Sequence, residues 1–210
     1  VRVFLIHGMG RTSASMALLA RRLRAVGHTT SSYGYFVTRH SIDVIVDGFV
    51  DHIARNGGVD DDFAVIGHSL GNVITRRALP RLPGLRRFAM LAPPNHPPAM
   101  ARALERSPVF RALTRDAGNK LLDADFYATL PVPPMPTLIV AGTGGPRFAR
   151  LPFRGQDNDG VVGVDECRLD GDNVEFVAVD AIHTLIMNQR DVAGLLLRFL
   201  AEPQALPRSG

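Results

Sequence analysis

Residues 63–79 read Phe63-Ala64-Val65-Ile66-Gly67-His68-Ser69-Leu70-Gly71-Asn72-Val73-Ile74-Thr75-Arg76-Arg77-Ala78-Leu79, and the order of chemical types in this stretch decides the fold. The apolar run 63–66 predicts a buried strand and 70–79 predicts a helix. Between them Gly67-His68-Ser69-Leu70-Gly71 has the pattern G-x-S-x-G. Average composition produces that pattern by chance in roughly one chain in fifteen of this length, so its setting has to carry the reading. A strand passing straight into a helix needs small residues at the turn. Such a turn lifts a serine hydroxyl clear of the sheet, beside a helix N-terminus that favours negative charge. Gly67 and Gly71 leave that space around His68 and Ser69. A serine before a helix otherwise reads as an N-cap; the paired glycines, together with the partners found further along the chain, favour a nucleophile.

Outward from this stretch the chain alternates. Strands are expected at 1–6, 30–36, 87–91, 137–141 and 174–179, and helices at 15–26, 42–55 and 192–200. In the helix at 15–26, Met16, Leu19, Leu23 and Val26 share one side, and Gly27 follows as a stop signal. Strands alternating with helices imply a mainly parallel sheet of six or seven strands with helices on both faces. A chain of 210 residues suits one domain, 1–210. Residues 93–136 break the rhythm. Proline-rich ends, Pro93-Pro94-Asn95-His96-Pro97-Pro98 and Pro131-Val132-Pro133-Pro134, bracket short helical stretches and read as a small cap.

An acyl-transfer serine needs a base. His183, after the last strand and before the closing helix, has the right address, whereas His28, His40, His52 and His96 carry no second signal. An acid that orients the imidazole belongs on the loop after strand 137–141, where Asp157 and Asp159 both qualify. Asp165, Asp170, Asp172 and Asp180 read as solvated. Oxyanion donors are expected at the N–H of Leu70 and at Met9, in His7-Gly8-Met9-Gly10, a segment that also reads as a plain glycine turn.

Several classes are disfavoured. Apolar residues make up 46% and charged residues 21%, the balance of a globular chain. Cys167 is the only cysteine, so an internal disulfide is impossible, and no Cys/His spacing suits structural zinc. Positive charge comes from scattered arginines, with Lys120 the only lysine. The net charge of +4 therefore reads as solubility and attraction to anionic surfaces, not as a nucleic-acid footprint. No apolar run reaches the roughly 20 residues of a membrane span. Residues 1–27 lack the order of a secretory signal. Because the chain begins with Val1, removal of a leader stays open, and so does the choice between cytoplasmic and exported. Residues 155–166 approach a calcium loop through Asp157, Asp159, Gly160 and Glu166, but Gly155 stands where the first acidic ligand belongs. Gly142-Thr143-Gly144-Gly145 lacks the ending of a phosphate loop and reads as a flexible connection.

HGMG at 7–10, GHSLG at 67–71, DGVV at 159–162 and the approach from Arg168-Leu169-Asp170-Gly171 to Ile182-His183 resemble the small bacterial lipases and esterases of the α/β-hydrolase superfamily, including the minimal lidless lipases. The resemblance runs through most of the chain. It implies Ser69 as nucleophile, Asp159 in preference to Asp157 as acid, His183 as base, and the backbones of Met9 and Leu70 as oxyanion hole. It implies no cofactor or metal, and a small-molecule ester or lipid as substrate, with contact to a lipid surface possible. The cap would fall between the family's sixth and seventh strand positions. It is longer than in the minimal lipases, so open, lidless access does not carry over. Met100, Leu104, Phe110, Leu113, Leu121, Leu122, Phe126 and Tyr127 either line an acyl pocket there or anchor the cap to the sheet. A thioesterase, amidase, lipid deacylase or acyltransferase would use the same residues, and a non-catalytic ligand-binding protein of this fold is the alternative of a different class. Serine at the turn excludes dehalogenase chemistry, which needs an acid there. The oligomeric state is not written in the sequence.

Overall fold

The computed structural model describes residues 1–58, 61–146 and 152–202. Its centre is a six-stranded, wholly parallel sheet built from β1 (Arg2–Ile6), β2 (Thr29–Tyr33), β3 (Phe63–His68), β4 (Leu85–Leu91), β5 (Thr137–Gly142) and β6 (Val174–Val179), in the order β2-β1-β3-β4-β5-β6. Side chains alternate along each strand, and both faces are covered. Phe4, Ile6, Val65, Phe88 and Met90 meet α2 (Ile42–Arg55) and α3 (Leu70–Ala78) on one face. Val3, Leu5, Ala64, Ile66 and Ala89 meet α1 (Ala17–Ala25) and α7 (Arg190–Ala201) on the other. Burial on both faces is why β3 and β5 read as continuous apolar runs and not as alternating ones.

The strand order also locates the site. From β1 the chain turns outward to β2, whereas from β3 it turns the opposite way to β4. Adjacent parallel strands whose connections diverge leave a crevice at their C-terminal ends. Ile6 is paired with Gly67, so the residues after β1 and the Ser69 turn flank that crevice.

Element boundaries differ from the sequence reading for local reasons. The first helix opens with a 3-10 turn at Ser13–Met16 before α1 begins. The second strand stops at Tyr33, three residues early, because Tyr35 gives its backbone N–H to His7 Nε2 and its hydroxyl to the His7 carbonyl instead of extending the ladder. The third strand runs on to His68.

Three helices lie between β4 and β5: α4 (Ala99–Leu104), α5 (Pro108–Leu122), broken at Arg115 where φ is 46°, and α6 (Ala124–Ala128). Their attachments are polar and specific. Arg76, on α3 and only 3% exposed, donates to the carbonyls of Leu130 and Pro131 at one root of this segment and to Asn95 Oδ1 at the other. Burial draws its guanidinium down to about 10, so it keeps its proton at neutral pH. Asn95 passes the tie on to the Cys167 carbonyl. Glu166 accepts from the N–H groups of Ala99 and Gly163, and Asp116 accepts from Ile42 N–H at the start of α2. Leu121, Phe126 and Tyr127 join the buried core.

Replacing Arg76 with Met strips two buried carbonyls of their side-chain donor and should cost about 1–3 kcal/mol in urea unfolding. Its exposed neighbour Arg77, paired with Asp43 at the surface, should change stability by less than about 0.5 kcal/mol when converted to Met. Equal midpoints for the two variants would contradict the tie.

Candidate active site

Ser69 sits between β3 and α3 with φ 51° and ψ −123°, a conformation that costs a non-glycine residue energy. Its surroundings enforce it. The Ser69 N–H donates to the Leu91 carbonyl, which also accepts from Asn72 Nδ2, so the end of β4 pins the turn from outside. On the inside, glycine is required by contact. A Cβ on Gly71 would stand 2.7 Å from the Ile6 carbonyl oxygen, and one on Gly67 would overlap Asn72 Oδ1. No side-chain capping bond is made by Ser69, which disposes of the N-cap reading.

Gly8, on the loop after β1, passes against the serine: a Cβ there would lie 2.8 Å from Ser69 Cβ and 2.8 Å from His68 Nδ1. Met9 follows it. Leu70 is the first residue of α3, where an N–H has no carbonyl one turn back to receive it. The two expected donor positions thus flank one serine. His7 holds this loop. Its ring stacks on Tyr35 at 4.3 Å, Nε2 accepts the Tyr35 N–H, and Nδ1 faces the Gly8 carbonyl at 2.8 Å. That pattern calls for the neutral ring protonated on Nδ1, and burial lowers its pKa in the same sense.

His183 and Asp159 meet at this edge of the sheet. His183 Nδ1 is 2.7 Å from Asp159 Oδ2, and the His183 N–H donates to the Asp159 carbonyl. Asp159 Oδ1 accepts from Val161 N–H and Val162 N–H at 2.9 and 2.7 Å. The carboxylate is therefore buried and bonded on both oxygens, the arrangement of a fixed anion. Gly160, at φ 97°, makes that tight turn. Asp157 is exposed, as are Asp165, Asp170, Asp172 and Asp180. His68 joins the halves: its Nε2 is 3.0 Å from the His183 carbonyl, and its ring centroid is 4.8 Å from that of His183.

Three features escaped the sequence reading. Gly142-Thr143-Gly144-Gly145 is not a flexible connection. It is closely packed, because a Cβ on Gly142 would lie 2.5 Å from the Ala181 carbonyl and 2.7 Å from Asp159 Cβ, and Gly145 N–H donates to Asn158. Asn158, fully buried, accepts from Gly160 N–H and donates to the Pro146 and Gln156 carbonyls, shaping the acid loop. Glu166, considered above as a calcium ligand, spends its carboxylate on the Ala99 and Gly163 amides. Among the described residues, no group of three or more His, Cys, Asp or Glu is placed to hold a metal.

An apolar groove of about 680 Å³ opens beside Met9. It lies between the loop 7–12, Tyr35–Thr38 and the cap residues Leu104, Val109, Phe110 and Leu113. Six of the eight apolar residues singled out in this segment divide: Leu104, Phe110 and Leu113 face the groove, while Leu121, Phe126 and Tyr127 anchor the segment, and Met100 and Leu122 do neither. A larger depression of about 870 Å³ lies at the opposite edge of the sheet, around Leu79, Leu85, Pro134 and Pro136, with no nucleophile or histidine in its lining.

His68 is buried and its pKa is held well below the usual 6.5, first by desolvation and then by the neighbouring His183. The unfolded chain therefore takes up a proton on this residue before the folded one does, and stability falls as pH drops below about 6.5. His7 acts in the same direction. Replacing His68 with Gln should flatten the difference between urea midpoints at pH 7 and pH 5; an unaltered slope would contradict a buried neutral ring.

No family model matches the sequence, and no curated protein matches it in sequence. Solved structures do resemble it. The mature form of the Bacillus licheniformis lipase BlEst2 superposes with a TM-score of 0.73 at 15% identity, over 95% of this chain and 91% of that one. The phospholipase PlaB from Legionella pneumophila, in complex with thio-NAD, gives 0.73 at 18% identity over 98% of this chain, which spans only 59% of PlaB. An extracellular α/β-hydrolase from a Paenibacillus species gives 0.62 at 17% identity, over 95% and 98%. The parallel sheet, the strained serine turn and these superpositions together establish that the chain has the α/β-hydrolase fold.

Proposed function

We propose that this chain is a serine hydrolase that cleaves carboxylic esters through an acyl-enzyme, as a single catalytic domain over residues 1–210 with 93–136 as its cap. The observation that carries this reading is the convergence of a strained Ser69 and a buried Asp159–His183 pair at one end of the sheet. Asp159 accepts a hydrogen bond from His183 Nδ1–H, which leaves Nε2 as the free base. As Ser69 Oγ attacks the ester carbonyl, His183 takes its proton and Asp159 stabilises the imidazolium. The carbonyl oxygen becomes an anion that the N–H groups of Met9 and Leu70 receive, aided by the N-terminal end of α3. Collapse expels the alcohol, which takes the proton from His183. Water, deprotonated by His183, then attacks the acyl-serine and releases the acid.

The groove supports an apolar acyl group. Its wall from Leu104, Val109, Phe110 and Leu113 is apolar and His183 is not among its described lining residues, so the acyl part is assigned to the groove and the departing alcohol to the histidine side. No helix among the described residues is long and apolar enough to cross a membrane.

A fluorophosphonate probe should label the wild type and not Ser69→Ala, and p-nitrophenyl acetate, butyrate, octanoate and palmitate should be hydrolysed only by the wild type. Asp159→Asn should lose on the order of 10⁴-fold in kcat, as expected when the wrong histidine tautomer is imposed, whereas Asp157→Asn should retain nearly full rate. Equal losses at the two aspartates would reassign the acid, and a folded wild type that is neither labelled nor active would favour a non-catalytic ligand-binding role.

A further inference from the structure

Arg11 holds a position that the triad does not explain. It lies on the loop that also carries Met9, and its Nη2 donates to the carbonyl of Thr184, the residue after His183, at 2.6 Å. Its side chain thereby bridges the two walls of the crevice. Among the described residues that line the groove it is the one charged side chain, the others being apolar apart from the neutral His7 and a few hydroxyls. None of the ion pairs among the described residues includes Arg11. Its Nε is buried without a hydrogen-bond partner. After burial, which dominates, the charge of Arg11 is a smaller contribution to the lowered pKa of His7 and His68, as its nearness to both rings requires.

A buried guanidinium N–H left without an acceptor is costly, and a lone cation beside an apolar groove complements a molecule with an apolar chain and one anionic group. The chemistry of the reaction fixes which end is which. His183 must return its proton to the leaving alcohol, so the alcohol lies toward His183 and Thr184, within the region that Arg11 spans. The acyl chain runs the other way, past Met9 toward Leu104 and Phe110.

We infer that Arg11 is the anion-recognising residue of this site, selecting esters of an apolar acyl chain whose alcohol part carries a phosphate or carboxylate group. This rests on the ester-hydrolase reading above. Two matched pairs of substrates test it: octanoyl glycerophosphate against octanoylglycerol, and the octanoyl ester of lactate against that of methyl lactate, each below its aggregation threshold. The quantity read is the ratio of kcat/KM for the anionic to the neutral member. The wild type should favour the anionic member of at least one pair by about 10–100-fold, the range of a charge-assisted hydrogen bond, and the pair that responds tells phosphate from carboxylate. Arg11→Gln should bring that ratio to about one, and Arg11→Lys, which keeps the charge without the fork, should retain part of it. A wild type that cleaves the neutral esters without preference in either pair overturns the inference. So does a preference that survives in Arg11→Gln, or an equal loss on both members that leaves the ratio intact, which would make Arg11 a purely structural bridge. Absence of hydrolysis of all four esters together with absence of fluorophosphonate labelling would instead remove the ester-hydrolase reading itself.

Discussion

The backbone strain at Ser69 is the constraint on which the rest of this site depends. A serine at φ 51° costs on the order of 1–3 kcal/mol, and it persists only where neighbouring structure over-determines it. Here β1, β3, β4 and α3 all converge on it. Leu91 fixes its amide, and Gly71 lets α3 sit against the end of β1, where any larger residue would meet the Ile6 and His7 carbonyls. The same close approach brings Gly8 onto Ser69. The loop bearing Met9 is therefore placed by the same close approach that surrounds Ser69. Tyr35 then secures this loop through His7, which accounts for a strand that ends early in favour of two hydrogen bonds.

On the other side the problem is electrostatic. A buried carboxylate is tolerated only when its lone pairs are occupied. Asp159 has two backbone amides on one oxygen and the imidazole on the other, and its own carbonyl receives the His183 amide. Asp159 and His183 are thus held by main chain as well as by each other. Gly142, Gly145 and Asn158 permit this by letting the acid loop lie directly on the end of β5. His68 bonds to the His183 carbonyl, so the turn that strains the serine also positions the histidine loop. Ser69 and His183 are thus linked through one buried, neutral ring.

What could be read from residues alone was the part governed by short-range rules. The G-x-S-x-G turn and the six strands are local patterns with local causes. The choice between Asp157 and Asp159 was not local: it rested on resemblance, and their contrast in burial appears only when the loop is folded against β5. Gly142-Thr143-Gly144-Gly145 misled for a related reason. Glycine signals either freedom or close approach, and only the partner, here Ala181 and Asn158, tells which. Arg76 and Asn95 were equally silent, because a buried polar side chain that bonds to distant carbonyls leaves no periodic or spacing signal.

The segment between β4 and β5 is divided into an anchored half and an exposed half. Arg115, at φ 46°, divides α5. Beyond it, Asp116 bonds to the start of α2 and Ala117 and Leu121 enter the core. Before it, Val109 and Leu113 remain 66% and 58% exposed along the groove, an arrangement that folding alone does not favour. The anchored half, with Arg76 and Glu166 at the roots, carries the attachment energy, so the exposed half is free to be shaped by what it contacts. Substitutions at Val109, Phe110 or Leu113 alter the groove wall without touching any residue that bonds to Ser69, Asp159 or His183. The shape of the groove wall is therefore separable, in this architecture, from the placement of Ser69, Asp159 and His183.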